Sequence, residues 1–304
     1  MITIENLTKM YGKKAATDDL SFTVPAGEVT GFLGPNGSGK STTMRCIVGL
    51  DRPTKGQALI GGRHYSELRS PLETVGALLD AKAFHPARTA RQHLTVVADT
   101  HGFPTSRIDE ILDLTGLSHV ANKRVKGFSL GMGQRLGIAT AMLGNPEYLL
   151  LDEPVNGLDP DGVRWVRDLV KTHAKKGGTV LISSHLMSEM AMTATNLVVI
   201  GNGRLIASGP IKQFTETAGH TTVRVAGPDM AAIGETLSQL NPRLDRVDGR
   251  DTLIIDGVSA ADVGRALHLA GLEIHELSTT HSSLEDVFME LTGNAVEFKA
   301  GGER

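Results

Sequence analysis

The sequence predicts an α/β fold in two parts, on three observations. Short continuous apolar runs at Val29–Leu33, Tyr148–Leu151 and Thr179–Ile182 read as buried parallel strands, and Val163–Ala174 has helical spacing between the last two. The stretch Gly34-Pro35-Asn36-Gly37-Ser38-Gly39-Lys40-Ser41 fits G-x-x-x-x-G-K-[ST] and lies between a strand and the helical run Thr42–Ile47, the context a phosphate-binding loop requires. After about Thr217 short alternating strands and helices replace the continuous apolar runs, which marks a smaller α+β domain.

Taken in order, Ile2-Thr3-Ile4 and Leu20-Ser21-Phe22-Thr23-Val24 alternate apolar with polar residues and are broken by Pro25-Ala26-Gly27, as antiparallel strands with a turn would be. Tyr11 is expected in a polar loop between them. Val75–Leu79 reads as another strand. From about Arg88 to Thr115 the apolar positions Leu94, Val97, Ala98, Ile108, Ile111 and Leu112 have helical spacing, so a helical insertion at about 85–140 is expected between two halves of the sheet domain. Beyond it, Thr221–Val225, Arg246-Val247, Thr252–Ile255 and Leu272–Leu277 read as strands, with helices at Met230–Leu240 and Ala260–Leu269 and a tight turn at Asp248-Gly249. That order, β-α-β-β-α-β, is the split βαβ arrangement. A last helix is expected near Ser282, which has capping-box spacing to Glu285, and is closed by Gly293. The expected domains are 1–216, 217–281 and a terminal segment 282–304.

The chain has 304 residues, 40% of them hydrophobic and 21% charged, enough for a sizeable core. A net charge of −3 gives no general attraction to nucleic acid or an anionic membrane, so no nucleic-acid partner is expected. The single cysteine, Cys46, cannot form an internal disulfide and is read as a small apolar residue in a reducing compartment. No apolar stretch approaches the roughly 18 to 20 residues of a spanning helix, and Met1-Ile2-Thr3-Ile4-Glu5 has no basic segment followed by an apolar one. The expectation is a chain that neither crosses a membrane nor is exported.

The loop carries the chemistry. Its glycines let several N–H groups point at one anion, and the following helix adds a partial positive charge of roughly half a unit. Lys40 would reach the β- and γ-phosphates and the Ser41 hydroxyl would hold Mg²⁺. Leu149-Leu150-Leu151-Asp152-Glu153-Pro154 places two carboxylates at the C-terminal end of a buried strand, where ligand sites of open α/β sheets lie. Asp152 would bind Mg²⁺, directly or through water, opposite Ser41, and Glu153 would polarise the water that attacks the γ-phosphate.

Over residues 1 to about 215 the chain resembles the ATP-binding subunits of ATP-binding-cassette (ABC) transporters. Phe128-Ser129-Leu130-Gly131-Met132-Gly133-Gln134-Arg135 resembles the signature motif, Gly157-Leu158-Asp159 the D-loop, and His185 the switch histidine. The resemblance implies an α/β cassette with an antiparallel β subdomain and a helical insertion, and it implies ATP and Mg²⁺ as cofactors. It assigns ATP to Gly34, Pro35, Asn36, Gly37, Ser38, Gly39, Lys40, Ser41 and Thr42, with Tyr11 stacked on adenine. It also implies two cassettes packed head to tail, a homodimer being preferred. Ser129 and Gly131 of one would then meet the ATP of the other, at a helix beginning near Gly133, while His185 contacts the γ-phosphate in cis. The chain departs from the family where Leu130 and Met132 replace Gly and Gln, and where Asp80 stands in place of the usual Gln as a metal ligand.

The leading functional expectation is therefore an ATPase that powers a separate membrane permease, as an exporter resembling drug and lantibiotic exporters, held peripherally on the cytoplasmic face of the membrane. Two other readings stay open: a soluble ABC-type ATPase acting on ribosomes or nucleic acid, and a nucleotide sensor without turnover. The C-terminal domain reads either as a binding or regulatory domain or as a dimer-stabilising appendage.

Overall fold

The computed structural model describes residues 1–81, 83–185, 187–217, 221–247 and 250–281. The expected Asp248-Gly249 turn and the helix from Ser282 lie outside the described residues. Contacts divide the chain into a first unit, Met1–Ile211, and a second that begins at Lys212.

In the first unit β1 (Ile2–Tyr11), β2 (Lys14–Val24) and β3 (Val29–Leu33) are followed by α1 (Lys40–Ile47) and β4 (Lys55–Ile60). β1, β2 and β4 make an antiparallel sheet in the order β2-β1-β4. The hairpin turns at Gly12, whose φ of 60° suits glycine. This corrects two expectations. Tyr11 ends a strand instead of sitting in a loop, and Pro25-Ala26-Gly27 carries the chain from this sheet to β3 in the other. β4 has little alternation to announce it, since Lys55-Gly56-Gln57 opens the strand with polar residues and glycine.

The larger sheet adds β5 (Val75–Leu78, after the single turn α2, Pro71–Thr74), β6 (Tyr148–Leu151), β7 (Thr179–Ser183), β8 (Asn196–Gly201) and β9 (Arg204–Pro210). Its order is β5-β6-β7-β3-β8-β9, parallel except for β9 at the edge. Strands buried on both faces explain why β3, β6 and β7 read as continuous apolar runs; every residue of the three is buried. One core cluster joins the sheets across α1: Ile4, Phe22 and Ile60 on one side, Met44 and Ile47 from the helix, and Phe32, Leu150 and Ile200 on the other. The Phe22 and Phe32 rings meet at 5.3 Å between centroids.

The insertion contains α3 (Ala90–Asp99), α4 (Thr105–Leu114) and α5 (Leu130–Met142). Thr89 and Gln92 form a reciprocal capping box at the start of α3. Arg107 of α4 donates to the Met142 and Leu143 carbonyls and so satisfies the end of α5. α5 begins at Leu130, three residues before the expected Gly133, because the Ser129 hydroxyl accepts the Met132 N–H at 3.2 Å and caps the helix there. α6 (Pro160–Lys175) follows β6, capped by Asp159, and α7 (Met187–Thr193) follows β7.

The second unit holds α8 (Ile211–Thr217, from its second residue), β10 (Thr221–Ala226), α9 (Met230–Thr236), β11 (Arg243–Val247), β12 (Arg250–Asp256), α10 (Ala260–Leu269) and β13 (Glu276–His281). The antiparallel order β11-β12-β10-β13 is that of the split βαβ arrangement. Val223, Val225, Leu253 and Ile255 pack against Ile233, Val263 and Leu267 of the two helices. β13 starts four residues later than Leu272, since Leu272 and Ile274 pack on this core before the ladder begins.

β5 and α5 pack closely: a Cβ on Gly76 would collide with the Ala141 carbonyl, and one on Gly137 with the Leu78 side chain. Gly76→Ala is therefore expected to lower stability by about 1–3 kcal/mol, the cost of overpacking a core, read as a shift of the urea unfolding midpoint.

Candidate active site

Parallel pairing places the strand ends side by side. Leu78, Leu151, Ile182 and Gly31 stand in register across β5, β6, β7 and β3, so the residues just beyond each converge at one edge. There they line a cavity of about 390 Å³ with Asn36, Gly37, Gly39, Lys40, Ser41 and Thr42 from the loop, Asp80 after β5, and Asp152 and Glu153 after β6.

The loop is held tightly enough to require glycine twice. Gly39 caps α1 at φ 106°, and a Cβ there would strike the Ala16 carbonyl. A Cβ on Gly34 would meet the Ile200 carbonyl at 2.5 Å. Lys40 curls back under the loop, its Nζ donating to the Gly34 carbonyl at 2.6 Å and the Pro35 carbonyl at 3.1 Å, with only 7% of the residue exposed. Burial pushes its pKa below the ordinary 10.5, against the opposing pull of the Glu153 and Asp152 carboxylates. The loop and α1 thus offer backbone N–H groups and a desolvated ammonium to an anion.

Across the cavity, the Ser183 hydroxyl fixes both acids. It donates to Asp152 Oδ1 at 2.5 Å and accepts the Glu153 N–H at 2.9 Å. Glu153 has φ 48°, a left-handed conformation that costs a non-glycine residue of order 1 kcal/mol or more. Its carbonyl accepts from Gln134 Nε2 at 2.9 Å, and its Oε2 lies 2.8 Å from His185 Nδ1, a distance at which an Nδ1 proton is donated to the carboxylate.

His185, Ser129, Gly131 and Tyr11, all expected at the site, are not among the residues lining the cavity. His185 reaches it only through the Glu153 carboxylate; Ser129 and Gly131 stand at the start of α5, where Ser129 lines a separate cavity with Phe84 and Phe128. Tyr11 stands apart as well, half exposed at the end of β1. Of the loop, Gly34 and Pro35 serve Lys40 through their carbonyls, and the Ser38 hydroxyl is buried with no protein partner.

Sequence reading missed Gln134, Asn156 and Ser183. Gln134 lines the cavity and is 4% exposed, with Oε1 buried and unpartnered; its signal was a buried polar residue on the inner face of an apolar helix. Asn156 lines the cavity from the turn after Glu153, and Ser183 had the signal of a polar residue ending an apolar strand.

A family model described as ABC transporter matches residues 17–156, and a model of a domain of unknown function matches 221–285. The chain is 35% identical over 300 residues to a bacitracin transport ATP-binding protein of Bacillus licheniformis, covering 96% of this chain and 97% of that one. It is 37% identical over 206 residues to a lantibiotic transport ATP-binding protein of Streptococcus pyogenes, covering 68% and 89%. A dimeric bacterial ABC transporter cassette superposes with a TM-score of 0.64 at 25% identity, over 69% of this chain and 99% of that one. The chain belongs to the ATP-binding proteins of ABC transporters, and it is an ATPase of that class.

Ser183→Ala removes the hydroxyl shared by the two acids and leaves the Glu153 N–H unpaired. The expected loss is about 1–3 kcal/mol of stability together with at least a tenfold fall in ATP turnover, checked by thermal melting and a phosphate-release assay. For Lys40→Met the pH trend is the test. Below the lowered folded pKa wild type carries the full cost of burying the ammonium, and the cost is relieved as pH rises from that value toward 10.5. The stability difference between the two should therefore shift in favour of wild type over that window, as measured by guanidinium unfolding at a series of pH values.

Proposed function

We propose that the chain is the energy-supplying subunit of an exporter, binding ATP between two cassettes and using its hydrolysis to drive a separate membrane-spanning permease. The observation that carries this reading is the single cavity shared by the phosphate loop, Asp80, Asp152 and Glu153. The α1 N-terminus, Lys40 and the loop N–H groups take the phosphates. Glu153 orients the attacking water, and His185 holds its carboxylate.

Ser41, Asp80 and Asp152 offer only oxygen donors, which suits Mg²⁺, an ion that takes one or two carboxylates and completes its shell with phosphates and water. Among the described residues no cluster of three or more His, Cys, Asp or Glu is placed to hold a metal alone. When bound, Mg²⁺ neutralises charge on the phosphate oxygens.

Ser129 and Gly131, at the N-terminus of α5, meet the ATP of a second cassette, with a homodimer preferred; a dimeric neighbour supports this arrangement. No helix of the described residues is long and apolar enough to cross a membrane; the permease of this reading is a separate chain that holds this one on the inner face of the cell membrane, which the relatives named for transport support. Relatives named for bacitracin and lantibiotic transport support a cargo of that kind.

Capture of tagged Glu153→Gln with ATP from mildly solubilised native membranes tests the reading. The expected outcome is a multi-spanning membrane protein in near-equal amount, with ATP-driven transport reduced to background by both Lys40→Ala and Glu153→Gln while the melting curves stay cooperative. Recovery of ribosomes or nucleic acid without an integral membrane protein would overturn it.

A further inference from the structure

Tyr11 is held from two sides. Its hydroxyl donates to Asp51 Oδ2 at 2.8 Å, and the same oxygen accepts from Arg45 Nε at 2.7 Å. Lys9 Nζ, tied to the Arg52 carbonyl at 2.8 Å, lies 5.1 Å from the centroid of the Tyr11 ring. The Asp51 side chain is only 15% exposed, although Arg45 and Tyr11 are about half exposed. Hydrogen bonding to Arg45 holds Asp51 below the usual carboxylate range, and the bond to Asp51 raises the Tyr11 phenol, so the carboxylate stays charged and the phenol keeps its proton.

The placement of Arg45 gives this cluster a use. It lies on α1, one turn beyond Lys40, Ser41 and Thr42, which line the phosphate cavity. An ion pair whose cation is half exposed contributes little stability, so a carboxylate shared by two donors on different elements is better explained by what it holds in place. We infer that Asp51 is a positioning residue for nucleotide binding: with Arg45 it locks the Tyr11 ring at a set offset from the phosphate loop, with Lys9 on one face and the other open to the base. The inference rests on the stacking of Tyr11 on adenine that the resemblance to ABC ATP-binding subunits implies. One helix then registers both ends of the ligand, its N-terminus against the phosphates and Arg45, through Asp51, against the base.

The test compares two probes by titration calorimetry on the full chain, ATP and inorganic tripolyphosphate, the second lacking base and sugar. Asp51→Ala and Tyr11→Phe should each weaken ATP binding about fivefold to tenfold, the range expected for loss of one orienting hydrogen bond, and leave tripolyphosphate unchanged. The double variant should be no weaker than either single, because both remove the same link. If Tyr11→Ala weakens ATP binding and Asp51→Ala does not, the positioning role of Asp51 is wrong while Tyr11 keeps its place at the base. If Tyr11→Ala has no effect, the role of Tyr11 fails and the inference with it. Equal loss for both probes in Asp51→Ala would show that Asp51 merely supports the loop, which also overturns the inference. Should Asp51→Ala fail to fold, the isosteric Asp51→Asn, which keeps an acceptor but loses the charge that anchors Arg45, should show the same selectivity for ATP with a smaller loss.

Discussion

Parallel register is the constraint on which the site depends. Because Leu78, Leu151, Ile182 and Gly31 are level across four adjacent strands, the next residues of each chain segment must meet. Asp80, Asp152 with Glu153, Ser183 with His185, and the loop from Gly34 come from positions up to about 150 residues apart, yet none needs a long excursion to reach the others. A slip of one residue in any of these strands would turn its functional side chain to the other face of the sheet. The surrounding core enforces the register, since the strands are buried on both faces and have no polar side to expose.

Within that frame, a few polar contacts convert strand ends into a reactive geometry. The Ser183 hydroxyl serves two neighbouring acids at once, and the Gln134 amide holds the carbonyl of the strained Glu153. Both supports come from elements other than the one carrying the acids, β7 and α5. The carboxylates are thus oriented by tertiary structure and not by their own turn. Lys40 is the opposite case, held by carbonyls of its own loop and pushed toward neutrality by burial. Such a cation gains more from a phosphate than an exposed lysine would, because less water has to be removed when the anion arrives.

Much of this was legible in the sequence. The loop pattern, the Asp152-Glu153 pair and the buried strands beside them are local features, and short-range spacing reports them well. The β-α-β-β-α-β order of the second unit was legible for the same reason, since turn residues and alternation mark each element. What escaped depended on distant partners. Tyr11 looked like a loop residue because the strand around it pairs irregularly, with register shifts between Ile4 and Met10. β4, β8 and β9 were not singled out; β4 and β9 carry polar or glycine residues where alternation would be expected, and β9 lies at the sheet edge. Ser183 and Gln134 resemble any serine or glutamine until the fold brings them to the acids.

Hydrogen–deuterium exchange of Glu153→Gln, with and without Mg²⁺ and ATP, tests the central claim most directly. The account expects strong protection of 34–42 on nucleotide addition, and protection of 129–133 only at concentrations where the mass shows a dimer. Protection elsewhere, with 34–42 exchanging as in the free chain, would mean that the cavity at the strand ends is not where the nucleotide binds.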